Sequence, residues 1–191
     1  MTDANPVMDF LLTRRSKPAA ALTAPAPEGA ALDQLLTAAA RVPDHGALVP
    51  WRFLVIEGPA RHRLAGLVRE RGPVLGVDAA KVEKSASLWE KSPLVVAVIA
   101  SPVPSEKAPE LEQILSAGAV CAALVNAALA SGWGAAWITG WAAFDRDFMS
   151  RGLNLAPQEQ VAGFVHLGSC DTAVGDRPRP DLSAIVTRVS A

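Results

Sequence analysis

Apolar residues recur along this chain in two rhythms, and the switches between them mark its elements. Leu32, Leu35, Leu36 and Ala39 fall at helical spacing, so residues 28–41 are expected to form an amphipathic helix. A shorter amphipathic segment, 8–15, precedes it across an extended Pro/Ala-rich connection over 18–29. Residues 52–57 read as a strand stopped by Gly58-Pro59, with a charged helix over 60–71 and a looser one over 77–91. Residues 94–100, Leu-Val-Val-Ala-Val-Ile-Ala, are continuously apolar and β-branched, the mark of a buried strand. A long helix over 108–131, a strand over 135–139, a helix over 144–152 and a strand over 161–168 follow. The tail is expected to close on a fifth strand over 184–189.

Helices alternate with strands but not in a strict βα rhythm, and two helices precede the first strand. The expected fold is α+β: a three-layer α/β/α arrangement, a mixed central sheet and a long central helix. One domain over 1–191 accommodates it, with 178–191 as a C-terminal arm. Neither a dinucleotide-binding Gly-x-Gly-x-x-Gly after a strand nor a phosphate-binding P-loop is present.

Residues 114–144 carry no charge, a span longer than the ~20 residues a membrane helix needs. Ser131-Gly132-Trp133-Gly134 breaks that span into a helix and a strand, which favours a buried helix over a membrane span. Composition sharpens the point. Half the residues are hydrophobic, but 36 of 191 are alanine, which adds little bulk. The net charge of −1 argues against a protein held to nucleic acid by charge. Two cysteines, Cys121 and Cys170, make a disulfide scaffold implausible, and no metal-ligand spacing stands out among three histidines. The N-terminus does not read as a signal peptide, so a cytoplasmic location is expected.

Arg14-Arg15-Ser16 closes the first helix. It suits the helix dipole, and equally an anion that a guanidinium fork and a hydroxyl could hold. The loop after the second helix gathers Arg41, Asp44, His45, Pro50 and Trp51, a denser chemistry than a plain connection needs. Trp133, Trp137 and Trp141 recur four apart, as core or as flat surfaces for an aromatic ligand. Arg177 and Arg179 in the tail face an anion or water. No nucleophile–histidine–acid array and no paired carboxylates emerge.

Taken in order, these pieces resemble a known family. A first helix ending in Arg14-Arg15-Ser16, a second leading to Arg41-x-Pro43-Asp44-His45, and Pro50-Trp51-x-Phe53 entering a strand are similar to the FMN-dependent nitroreductase family. The later order agrees: Glu112-Gln113 opening a small-residue helix, Trp137-x-Thr139, and Gly163 to Gly168. The resemblance runs over residues 8–170.

It implies a homodimer with tightly bound FMN at the subunit interface. Arg14 and Ser16 would hold the phosphate and ribityl chain, with Arg15 beside them. Arg41 and His45 would meet the flavin, His45 from across the dimer. Pro50 and Trp51 would line its edge, and Trp137, Ile138 and Thr139 would cover its ring. Arg177 or Arg179 would reach the phosphate. NADH or NADPH would supply hydride and a nitroaromatic or quinone-like acceptor would receive it by ping-pong transfer, with the flavin N5 doing the chemistry and no side chain acting as acid or base. The small-residue helix would form a dimer seam above roughly 2,000 Å². Two departures matter: Ile138 stands where similar sequences carry a basic residue, and Ser169-Cys170-Asp171 follows Gly168 where Thr or Tyr and then Pro are usual. The first keeps open a flavin-binding protein of the same fold with another role, in storage, sensing or a specialised reduction such as dehalogenation or flavin fragmentation.

Overall fold

The computed structural model describes residues 5–190. Asn5 caps α1 (Pro6–Thr13), its side chain accepting from the N–H groups of Val7 and Met8, with Pro6 at the first turn. A short 3₁₀ turn, Ala19–Ala21, leads to α2 (Gly29–Ala39), then β1 (Trp51–Ile56), α3 (Pro59–Val74) and α4 (Ala79–Lys91). β2 (Leu94–Ala100), α5 (Glu110–Ala130), β3 (Gly134–Ile138) and β4 (Gln160–Gly168) follow, and α6 (Leu182–Ile185) lies in the arm.

The strand order is β1-β2-β4-β3, and every neighbouring pair is antiparallel. The α+β class and its three layers stand, but the sheet is antiparallel rather than mixed among the described residues. The reason is visible between β1 and β2. Helices α3 and α4 form a hairpin that returns the chain to the end of the sheet it left, so β2 must run back along β1.

β2 is buried along its whole length and serves both faces. Val96 and Val98 join Leu35, Val120, Leu124 and Val165 under α2 and α5. Val95, Ala97 and Ile99 join Leu64, Val68, Trp89, Phe148 and Phe164 under α3 and α4. Helix α5 is long and apolar enough to cross a membrane, yet it packs along the sheet through Ala117, Val120, Cys121, Leu124 and Ala128. Its apolarity feeds the core layer.

Two expected elements differ. The segment 144–152 is not one helix but a 3₁₀ turn, Trp141–Phe144, and a wide π turn, Phe148–Gly152. The Asp145 carboxylate explains the break: it accepts from the Phe148 N–H while paired with Arg71 of α3, and so caps a new turn there. The expected fifth strand over 184–189 is absent. Asp181 instead caps the short α6 through Ser183, and the arm beyond it is exposed with no strand beside it.

Candidate functional site

The sequence-predicted residues fall into two groups at opposite edges of the sheet. The first lies along β3, an outer strand. The chain leaves α1 at Arg14 and crosses to β3, where the Lys17 N–H donates to Ala135 O at 2.9 Å. Arg14 Nη2 donates to Ser16 Oγ at 3.0 Å, while its Nε is buried with no partner among the described residues. Burial, then Arg179 and Arg15, hold the Arg14 guanidinium below its ordinary pKa.

The tail returns over the same place. Arg15 donates to Gly175 O and stands 3.6 Å from Asp176, Lys17 Nζ donates to Thr172 O at 2.9 Å, and Arg179 Nη2 donates to Asp176 Oδ1 at 2.9 Å. Two guanidinium groups, Arg15 and Arg179, therefore meet one carboxylate, and Arg14 stands near enough to both to feel their charge. Arg179 is the tail arginine of this cluster. Arg177 gives only its backbone N–H to Asp176.

Beside the cluster lies a cavity of about 480 Å³. Pro18, Ala19, Leu88 and Ile138 give it apolar walls, and Lys84, Ser87 and Lys91 of α4 rim it. Sequence reasoning missed the α4 residues. Their spacing, 84, 87, 88 and 91, is one helical stripe. The carboxylates one position earlier, Glu83 and Glu90, both bind Arg69 of α3, at 2.7 and 2.6 Å. The two lysines have no ion pair among the described residues. That segregation of charge by face was the available signal.

Trp137 and Ile138, adjacent on β3, point to opposite faces. Ile138 lines the cavity. The Trp137 indole is 43% exposed and lies over Gly163 of β4, where a Cβ would come within 1.9 Å of Nε1. Thr139 is half-buried just past the strand.

The second group surrounds the loop into β1. His45 Nδ1 lies 2.8 Å from Glu112 Oε2 on α5, with both side chains at least half exposed. The pair borders a cleft of about 310 Å³ with Pro43, Leu115, Ser116 and Ala119. Ser116 Oγ donates to Pro43 O at 2.6 Å, and the Asp44 carboxylate accepts from the N–H groups of Leu48 and Val49. Arg41 is exposed at the end of α2. Pro50 and Trp51 instead lie in the core, Trp51 packed with Leu32 and Leu35, so neither offers a ring face to a ligand within one chain. The outer strands β1 and β3 are three strand spacings apart, roughly 14 Å, so one chain does not join the two groups.

Comparison with known proteins completes the description. Residues 11–169 match the model of the nitroreductase family. The chain is 33% identical over 162 residues to the Escherichia coli K12 protein named "Putative NAD(P)H nitroreductase YdjA", covering 85% of this chain and 87% of that one. A nitroreductase-like family protein from Bacillus cereus superposes over 100% of both chains with a TM-score of 0.82 at 22% identity. A nitroreductase of Desulfovibrio desulfuricans, solved in complex with FMN, superposes over 98% of both chains with a TM-score of 0.75 at 21% identity.

Proposed function

Because the chain belongs to the nitroreductase family, we propose that it is a cytoplasmic, FMN-dependent NAD(P)H oxidoreductase that transfers hydride to nitroaromatic or quinone-like acceptors by ping-pong kinetics. The observation that carries this reading is the cluster of Arg14, Arg15 and Arg179, of which Arg15 and Arg179 share the Asp176 carboxylate and Arg14 has no carboxylate partner among the described residues. With the orphaned, buried Arg14 Nε, it is a site short of negative charge, as a phosphate would require.

The residues present fit FMN. Arg14, Ser16 and Arg179 would hold its phosphate, and Arg15 would release Asp176 to join them. The neighbouring cavity would take the ring system against Leu88 and Ile138. Bound there, FMN supplies the two-electron chemistry between NAD(P)H and the acceptor. The chain's own part is to fix the ring, to exclude water with Pro18, Ala19 and Ile138, and to offset negative charge with Lys84. A cationic rim on α4 also offsets the missing basic residue at 138, which favours this activity over flavin storage or sensing.

The second group enters through a homodimer. Val7 and Leu12 of α1, and Leu111 and Leu115 of α5, are 64–69% exposed, an apolar surface suited to a second copy. Such a seam would bring His45 and Arg41 of one subunit toward the β3 edge of the other. The test is direct. Protein purified without detergent should be yellow, and anaerobic NADH or NADPH should bleach the flavin bands, which an acceptor then restores. FMN-loaded protein that stays oxidised with both donors overturns the proposal.

A further inference from the structure

We infer that His45, oriented by Glu112, delivers across the dimer seam, to the flavin site of a second copy, the proton that must accompany hydride when the acceptor is reduced. This role rests on the oxidoreductase reading above and departs from the expectation that no side chain acts as an acid. Three observations carry it.

The first is the dyad. Glu112 Oε2 lies 2.8 Å from Nδ1, so the carboxylate accepts the Nδ1–H and leaves Nε2 as the working nitrogen. A carboxylate behind an imidazole fixes the ring and its tautomer. The second is the cleft. His45 does not face open solvent alone but borders the about 310 Å³ recess lined also by Pro43, Leu115 and Ala119, at the apolar flank of α5.

The third is the effort spent on holding the loop. Gly46, Ala47 and Val49 have φ of 82°, 52° and 49°. For Ala47, and more so for β-branched Val49, this left-handed backbone is strained, and such strain persists only where surrounding bonds enforce it. Here the Asp44 carboxylate takes two N–H groups of the loop, and Ser116 ties Pro43 to α5. A solvent-exposed turn with no task needs neither the strain nor the ties.

The chemistry balances. Reducing a quinone to a hydroquinone adds one hydride and one proton. The hydride originates in NAD(P)H. The proton leaves Nε2 of the His45 imidazolium as the N–H bond breaks and an O–H bond forms on the acceptor. The neutral ring keeps its proton on Nδ1 against Glu112, and solvent restores Nε2–H. Glu112 is thus a positioning residue and never touches the acceptor.

Two measurements test this. Ring-nitrogen NMR of the holoprotein at alkaline pH, with His45→Gln used for assignment, reads the tautomer. The Nδ1–H form is expected in the native protein, reverting to Nε2–H in Glu112→Ala, and a one-sided kinetic loss is what a merely structural contact would not produce. Stopped-flow kinetics then separate the half-reactions. His45→Gln should slow acceptor reduction about 10²-fold or more, while flavin reduction by NAD(P)H, which needs no proton from this group, changes less than about threefold. Glu112→Ala should show the same one-sided loss. A native Nε2–H tautomer, or equal effects on both half-reactions, overturns the role of the dyad. A native protein that takes up no flavin overturns the oxidoreductase reading, and this role with it.

Discussion

The Oγ of Ser92 and the Nδ1 of His166 stand 2.6 Å apart between α4 and the sheet, with His166 only 2% exposed and Trp89 alongside. Burial pushes the His166 imidazole down from 6.5 to about 4, so the folded protein keeps it neutral. The unfolded chain binds a proton there at higher pH than the folded one. Stability from this group is therefore complete above 6.5 and falls as pH drops through the window to about 4. A loss of about 3 kcal/mol is expected across it. Urea midpoints measured at both ends of the window should differ in the native protein and converge in His166→Gln.

A second acid-sensitive pair lies lower. Arg52 of β1 holds Glu159 at 2.6 and 2.8 Å, and that hydrogen bonding outweighs burial and pushes the carboxyl from 4.5 down to about 2. Its contribution is present above 4.5 and lost as pH falls toward 2. The Glu159 side chain is 7% exposed but Arg52 is 39% exposed, so solvent screens the pair. Arg52→Ala should cost about 2 kcal/mol, less than the loss on breaking a fully buried pair. The denaturation midpoint should fall with the slope unchanged.

The tail arginines should separate cleanly. Charge-assisted hydrogen bonds contribute about 1.5–3 kcal/mol each, so Arg14→Ala and Arg179→Ala should weaken FMN binding by roughly 10- to 100-fold. Arg177→Ala should leave it unchanged. Titration of flavin fluorescence quenching measures all three.

Gly163→Ala should move the Trp137 indole. The added Cβ would stand 1.9 Å from Nε1, and the part-exposed ring can swing away. Stability should change by less than about 1 kcal/mol, because one flexible side chain rather than backbone must give. The fluorescence difference between Gly163→Ala and native protein should vanish in a Trp137→Phe background.

Leu115→Glu should tilt any self-association toward the monomer, since it places charge in the apolar flank of α5. Light scattering at micromolar concentration reads the shift. FMN retention should fall in parallel if the flavin site spans two copies.

How much of this was legible in the chain depends on where each residue's partner lies. The run of β2 declared itself because both faces of the strand are buried and no polar residue interrupts it. Arg14-Arg15-Ser16 was legible as a candidate for holding an anion because the three are contiguous. Arg179 was not separable from Arg177, since the choice is made by a fold that carries the tail back over Arg15. His45 and Glu112 lie 67 positions apart, and only the packing of α5 joins them. Lys84 and Lys91 are set apart only by the fold, in which Arg69 of α3 claims the neighbouring carboxylates. The burial of Trp51 was not legible, because an amphipathic ring serves a core or a site equally well. The strand expected over 184–189 failed because a strand is a property of a pair, and no neighbouring strand lies beside the arm.

Asp176 has one further consequence. The carboxylate fastens the tail to the body through Arg15, while Arg179 pairs with it from within the tail, so any anion recruiting Arg15 must compete with the tail for it. Occupancy of the cluster and tethering of the last fifteen or so residues are then linked quantities, each altering the other by the same factor. The rate at which a protease trims the C-terminus becomes a gauge of what the cluster holds, readable without any measurement of colour or turnover.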